Sequence, residues 1–237
     1  MGSTHRILTG VLFDIDGTLV ESNEAHALSW VQALRENKRN CSLDEVCPLI
    51  GMGGDHLLPQ LLGISAESEE GKRISHRKKE LFFQDHLPHL QPTPGAHDLI
   101  RKLRDLGVRL AVATSASDEE VEALLKICQA NELIPEKTSK SEAGKSKPSS
   151  NVIDIALEKI QTYPGQTIML GDTPYDIEAA LKAGVQTVAF RCGGWADEEL
   201  PGALAYFDHP LDLLENLEFS PLAPALLLNR TRRADAA

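Results

Sequence analysis

Two aspartates, Asp14 and Asp16, lie two positions apart directly after the apolar run Val11–Phe13. Such a run is typical of a strand that is buried on both faces. In an extended backbone this spacing puts both carboxylates on one side, where like charges raise each other's pKa. A hard metal ion held by oxygen ligands is the simplest compensation. Asp and Gly are also common turn residues, so Asp14–Thr18 taken alone fits an acidic turn almost equally well.

Polar side chains recur at further points that follow predicted strands or lie beside them. These are Thr114 and Ser115 after the strand Val108–Ala113, Lys147 in the polar segment Pro135–Pro148, and Asp172 and Asp176 after the strand Thr167–Leu170. In parallel sheets, ligands gather beyond the carboxyl ends of the strands. The sequence therefore predicts that these side chains converge with the two aspartates at one edge of a sheet.

The order of the predicted elements indicates an α/β fold. A strand is followed by a helical stretch without strands, and helices and strands alternate from about residue 91. This order predicts a Rossmann-like, mainly parallel sheet with helices on both faces. We expect residues 1–20 and 91–237 to form the α/β core domain and residues 21–90 an inserted, all-helical cap domain. One long helix is expected over Glu67–Leu87, an irregular Pro135–Pro148, and a last clear strand at Val185–Phe190.

Composition excludes several classes of partner. The chain has 237 residues and a formal net charge of -11, which argues against nucleic acid because phosphate backbones are bound by a surplus of Lys and Arg. No apolar run is long enough to cross a bilayer, and the N-terminus lacks the apolar core of a signal peptide. The four cysteines do not have the spacing of a zinc site. We therefore expect a cytoplasmic protein with free thiols and no membrane partner; a monomer is the default, and an oligomer stays open.

The motifs resemble the haloacid dehalogenase superfamily, and specifically its phosphatase-type members with a helical cap. Asp14-Ile15-Asp16-Gly17-Thr18 is similar to the first motif of that family (DxDG followed by Thr or Val), Thr114 to the second, Lys147-Pro148 to the third, and Gly171-Asp172 with Asp176 to the fourth. Their order and spacing agree from about residue 7 to residue 190, which is most of the chain.

The resemblance implies a role for each catalytic residue. Asp14 would attack phosphorus to give an aspartyl-phosphate, and Asp16 would act first as a general acid and then as a general base. Thr114 would donate a hydrogen bond to a phosphoryl oxygen, and Lys147 would neutralise charge in the transition state. Ser115 can substitute for Thr114. Lys145 is the alternative to Lys147, which is preferred because the family places Pro after this Lys.

The resemblance also implies Mg²⁺ as the cofactor. Its ligands would be Asp14, the backbone carbonyl of Asp16, and Asp172, with Asp176 as a ligand or a support. Asp176 also fits a plainer role at a helix N-terminus, where acidic groups are favoured.

An aspartate at position 16 favours, within this family, release of an alcohol from a phosphomonoester. The expected substrate is a small phosphorylated metabolite, of the sugar phosphate or phosphoglycolate type. Besides Ser115, the candidates for substrate contact are Glu21, Asn23 and His26, in or beside the first cap helix.

Two other functions stay open. One is a phosphosugar mutase of the beta-phosphoglucomutase type, whose His and Trp in the cap helix are similar to His26 and Trp30. Such members carry an Arg where Gly53-Gly54 stands and a Lys near Ser117, so hydrolysis is favoured. The other is a non-catalytic binding module on the same scaffold.

Overall fold

A single sheet of six parallel strands lies at the centre of the computed structural model, which describes residues 8–226. The strands are β1 (Gly10–Phe13), β2 (Arg109–Ala113), β3 (Glu136–Thr138), β4 (Thr167–Gly171), β5 (Gln186–Phe190) and β6 (Ala205–Phe207). Their order across the sheet is β3-β2-β1-β4-β5-β6, so β1 is central and pairs with β2 and β4. This topology confirms the predicted α/β, Rossmann-like fold.

Helices cover both faces of the sheet. The α-helices in residues 8–226 are α1 (Asn23–Glu36), α2 (Leu43–Val46), α3 (Gly54–Leu62), α4 (Glu69–Leu81), α5 (Ala96–Asp105), α6 (Asp118–Ile127), α7 (Lys140–Ala143), α8 (Asn151–Ile160), α9 (Pro174–Lys182) and α10 (Pro210–Glu215). Val11 and Phe13 of β1 belong to one apolar cluster, while Leu12 belongs to a second. Successive side chains of a strand point to opposite faces, and here both faces are buried, which explains the continuous apolar run.

The segment between β1 and α5 forms a helical insertion (Asn23–His89). It contains α1–α4, and α4 continues through a π-helical turn, Phe82–His86, and a 3-10 turn, Leu87–His89, in agreement with the predicted long helix. The insertion has its own apolar cluster, which includes Trp30 and Leu58. The chain enters and leaves it side by side, since the N–H of Glu21 donates to the carbonyl of Gln91 (3.0 Å). The division into a core domain and a cap domain at residues 21 and 90 stays a prediction.

Two edge strands correct the sequence analysis. The segment Pro135–Pro148 is not irregular throughout, because it contains β3 and α7, and Val185–Phe190 is followed by β6. Each of these strands has three residues, too few for an alternating pattern to appear. Polar side chains in Glu136-Lys137-Thr138 are tolerated because an edge strand keeps one side exposed.

Within residues 8–226, the structure has no helix with the length and apolar character required to cross a membrane. All four cysteines are free thiols. In the C-terminal segment 220–237, Leu222 and Ala225 are buried against the core, and residues 227–237 lie outside the described residues.

Candidate active site

Three of the predicted site residues lie at the carboxyl ends of adjacent strands. Asp14 follows β1, Thr114 follows β2 and Asp172 follows β4. Because β1 is hydrogen-bonded to both neighbours in parallel register, the three strand ends meet at one edge of the sheet. All three side chains are buried.

A cluster of buried carboxylates lies at this edge. One oxygen each from Asp14, Asp172 and Asp176 lies within 4.8 Å of the others. The ammonium of Lys147 lies 2.8 Å from Oδ1 of Asp14 and 2.5 Å from Oδ1 of Asp176. Three negative charges and one positive charge leave an excess of two negative charges. A divalent cation would balance this excess, and carboxylate oxygen is the ligand type that Mg²⁺ prefers.

The carboxylates are held in an environment that disfavours their charge. Burial raises the pKa of Asp14 to about 7, and repulsion from Asp176 and Asp16 adds to this, although Lys147 opposes it. Burial, with repulsion from Asp176 and Asp14, likewise places the pKa of Asp172 well above its usual value. The pKa of Lys147 is raised, because attraction to both aspartates outweighs its burial. Bound Mg²⁺ would relieve this repulsion, so the residues present fit the ion.

The Asp172 carboxylate is fixed by donors from the start of the chain. The Thr18 hydroxyl donates to Oδ1 (2.7 Å), and the Asn23 amide donates to Oδ2 (2.8 Å). Gly17 has a φ of +71°, and a Cβ there or at Gly193 would lie 2.1 Å from Oδ2 of Asp172. Asn23, expected to contact substrate, therefore instead orients a candidate metal ligand.

Asp176 holds the Lys147 ammonium and caps a helix. Its Oδ2 accepts hydrogen bonds from the backbone N–H groups of Asp172 (3.3 Å) and Thr173 (3.0 Å) and from the Thr173 hydroxyl (2.7 Å). Its Oδ1 faces Lys147. Oδ2 of Asp176 thus has three donors and Oδ1 has the ammonium, whereas each oxygen of Asp172 has one donor. Asp176 is the more fully engaged of the two carboxylates, and its role as a ligand or a support stays a prediction. Lys147 is fully buried here and Lys145 is exposed, so the structure favours Lys147 of the two.

The side chain of Asp16 is held by Ser22 and His26. Its Oδ1 lies 2.5 Å from the Ser22 hydroxyl and 2.7 Å from Nε2 of His26. The His26 ring stacks on Phe82 at a centroid distance of 4.0 Å. Burial raises the pKa of Asp16, but His26 and the hydrogen bond from Ser22 outweigh it, so the pKa is below the usual value. The use of the Asp16 carbonyl as a metal ligand stays a prediction.

A partly open cavity of about 360 Å³ reaches Asp14 and Asp16, whereas Lys147, Asp172 and Asp176 do not line it. The core contributes Asp14, Asp16, Thr114 and Ser115 to its wall, and the insertion contributes His26, Trp30 and the loop 51–55. Glu21 is exposed and does not line it. Thr114 Oγ1 accepts from the N–H of Ala116 (3.2 Å), which leaves its hydroxyl proton for a ligand. Ser115 Oγ accepts from the N–H of Lys147 (3.1 Å).

The sequence profile of the family described as haloacid dehalogenase-like hydrolase matches residues 11–190. The chain belongs to this family. It is 28% identical over 185 residues to a pyrophosphatase, PpaX, of Bacillus cereus, covering 76% of this chain and 81% of the relative. Relatives of this family named as pyrophosphatases support a phosphatase-type hydrolase activity over a non-catalytic module.

Solved structures of other proteins have the same fold. A hydrolase from Pseudomonas syringae superposes with a TM-score of 0.84 at 26% identity, covering 89% of this chain and 98% of that chain. A mutant of CbbY from Rhodobacter sphaeroides, in complex with xylulose-(1,5)bisphosphate, gives a TM-score of 0.74 at 26% identity, covering 87% and 96%.

The sequence does not predict the contacts of several side chains at this haloacid dehalogenase-like site. Ser22 follows Asp16 by six positions, and Gly193 is distant in sequence from the Asp172 that it contacts. Thr18 belongs to the first motif, but the resemblance implies no role for it, and in the structure it donates to Asp172. Glu120 fits a helix cap with Ser117, yet its side chain also lines the cavity, together with Lys78.

Proposed function

We propose that this protein is a Mg²⁺-dependent phosphomonoester hydrolase that acts on a small phosphorylated metabolite through an aspartyl-phosphate at Asp14. The observation that carries the proposal is the buried cluster of Asp14, Lys147 and Asp172, of which Asp14 lines a cavity together with Asp16. A cytoplasmic location also stays part of the proposal.

Asp14 is suited to act as the nucleophile. Its Oδ1 is buried and lies 2.8 Å from the Lys147 ammonium, while the side chain also reaches the cavity, where its other oxygen would meet a phosphoryl group. This oxygen would form a bond to phosphorus while the bond from phosphorus to the leaving oxygen breaks. Lys147 would offset the charge that gathers between carboxylate and phosphoryl group, and the Thr114 hydroxyl would hold a phosphoryl oxygen.

Asp16 is placed to move the proton. In the first step it would protonate the leaving oxygen, and in the second it would take a proton from the water that attacks the phosphorus of the aspartyl-phosphate, which releases Asp14 and phosphate. Its contacts with Ser22 and His26 orient the carboxyl group. The lowered pKa suits the second step, where the basic form is required.

Asp14 and Asp172 would hold Mg²⁺, with the carbonyl of Asp16 as the third protein ligand. When bound, the ion polarises the phosphoryl group and permits the approach of an anionic nucleophile.

A phosphate-release assay with 4-nitrophenyl phosphate and a panel of sugar phosphates tests the proposal. We expect turnover in Mg²⁺, a loss of at least about a hundredfold in EDTA, and recovery when Mg²⁺ is restored in excess, because the carboxylate cluster repels the phosphate dianion without the ion. The same protein carried through buffer exchange without EDTA is the control. Turnover that persists in EDTA would contradict the metal assignment, and no turnover of any phosphate ester would contradict the proposed function.

A further inference from the structure

The cavity wall away from the reacting carboxylates carries an ion pair between the helical insertion and the core. Nζ of Lys78, on α4, lies 3.2 Å from Oε1 of Glu120, on α6. Each side chain is 11% exposed, and both line the cavity. The proposed chemistry uses neither group, so their burial at this position requires another explanation.

Glu120 is a fixed anion. Its Oε2 accepts hydrogen bonds from the backbone N–H of Ser117 (2.9 Å) and from the Ser117 hydroxyl (2.8 Å). Burial raises the pKa of Glu120, but Lys78, His26 and Ser117 outweigh it and bring the pKa well below the usual value. Both hydrogen bonds from Ser117 go to Oε2, whereas Oε1 has Lys78 as its partner and keeps a second lone pair that can accept a hydrogen bond from a ligand.

Lys78 is confined on its other sides by aromatic rings. Its ammonium lies 5.0 Å from the ring centroid of Phe82 and 5.8 Å from that of Trp30, within the range of cation–π attraction. At these distances the rings attract the charge without accepting hydrogen bonds, so the Glu120 carboxylate uses one of the three N–H donors and others stay free for a ligand. The pair thus offers a ligand both a donor and an acceptor in fixed positions.

The other lysines along the cavity are also paired with carboxylates. The pairs are Lys72 with Glu67 (3.4 Å), Lys79 with Glu119 (2.6 Å) and Lys140 with Asp55 (2.8 Å). A second phosphate or a carboxylate on the substrate would compete with these carboxylates for the ammonium groups. At Lys78 it would also lie beside the buried Glu120 carboxylate, and two anions that share one ammonium are unfavourable in a partly desolvated site.

A neutral hydroxyl group meets no such penalty. It can donate to Oε1 of Glu120 and accept from Nζ of Lys78 while the ion pair stays intact. We propose that Lys78 and Glu120 form a leaving-group subsite that selects monophosphate esters of neutral polyhydroxy compounds over substrates with a second anionic group. The inference rests on the proposed function and narrows its substrate class. It also separates this chain from its named relatives, since pyrophosphate and xylulose 1,5-bisphosphate both carry a second phosphate.

Matched substrates test the subsite directly. Glycerol 1-phosphate and 3-phosphoglycerate share a three-carbon skeleton and differ in a terminal hydroxymethyl or carboxylate group; fructose 6-phosphate and fructose 1,6-bisphosphate form a second pair. We expect the wild-type kcat/KM to favour the neutral member of each pair by at least about tenfold. Glu120→Gln, which keeps the shape but removes the charge, should shift this ratio toward the anionic member by about tenfold.

Glu122→Gln is the matched control, because Glu122 is on the same helix, is half-exposed, pairs with Lys137 and does not line the cavity. Its ratio should equal that of the wild type. A wild-type preference for the anionic members overturns the subsite, and so does an unchanged kcat/KM ratio in Glu120→Gln. If that variant does not fold, the kcat/KM ratio of the wild type alone decides. Hydrolysis of 4-nitrophenyl phosphate with no discrimination refutes the subsite only, whereas no hydrolysis of any ester refutes the proposed function and the subsite with it.

Discussion

Replacing Asp14 with Asn is expected to lower kcat for phosphate release by at least about a thousandfold, because an amide of the same shape lacks the nucleophilic oxygen. The fold should persist. Burial raises the pKa of Asp14 from 3.8 to about 7, so the metal-free protein loses stability as the pH rises between these values. At pH 8 the full penalty is present, and a neutral side chain removes it. We therefore expect the variant in EDTA at pH 8 to melt at a temperature equal to or higher than that of the wild type.

Steady-state kinetics in saturating Mg²⁺ and thermal unfolding in EDTA measure the two effects separately. Glu122→Gln again serves as a control for the loss of one carboxylate. Retention of a tenth or more of the wild-type kcat in Asp14→Asn would remove Asp14 from the nucleophilic role. Both measurements are made on the same preparation, because an unfolded variant would also be inactive. A melting temperature close to or above that of the wild type shows that the loss of activity comes from the missing nucleophile.

Replacing Lys147 with Met is expected to impair both activity and stability. The Lys147 ammonium lies between Asp14 and Asp176 and is fully buried. Removing one partner of a buried ion pair costs about 3 to 5 kcal/mol in the free energy of unfolding, since the remaining charges are left uncompensated. Loss of the positive charge at the phosphoryl position should lower kcat by a factor on the order of 100 to 1,000.

Lys145→Met is the matched control, because this lysine is two residues away and exposed. It should match the wild type in kcat and in the midpoint of urea unfolding. Added Mg²⁺ should recover part of the stability of Lys147→Met but not its kcat, because the ion can balance the carboxylates without replacing the ammonium. Equal losses in the two variants would contradict the choice of Lys147.

The parts of the site that follow predicted strands were accessible from the sequence. Asp14 and Asp172 each end an apolar run, and the parallel order of these runs brings their ends to one edge of the sheet. From the sequence, only the family pattern distinguishes Lys147 from Lys145, since tertiary packing buries one and exposes the other. The edge strands β3 and β6 are too short for their residues to show a period.

Contacts between distant segments were not predictable in the same way. The pairing of Lys78 with Glu120 depends on how the helical insertion lies over the core, and the capping pattern of Ser117 and Glu120 explained Glu120 locally without indicating its second role. The position of Asn23 at the start of the first helix of the insertion predicts a contact with substrate, but in the fold its amide donates to Asp172.

The proposed Lys78–Glu120 subsite bears on the mutase alternative. A mutase must retain a bisphosphate intermediate, and the Lys78–Glu120 pair would disfavour one.

The central claim is that the phosphoryl group is transferred to Asp14. Asp16→Asn combined with 4-nitrophenyl phosphate tests it most directly, because this leaving group departs without protonation while the second step lacks its base. The predicted result is a burst of 4-nitrophenolate and, after acid quench, one hydroxylamine-labile phosphoryl group per chain, mapped by mass spectrometry to Asp14. No burst and no trapped phosphoryl group, or the same label in the Asp14→Asn, Asp16→Asn double variant, would contradict the claim.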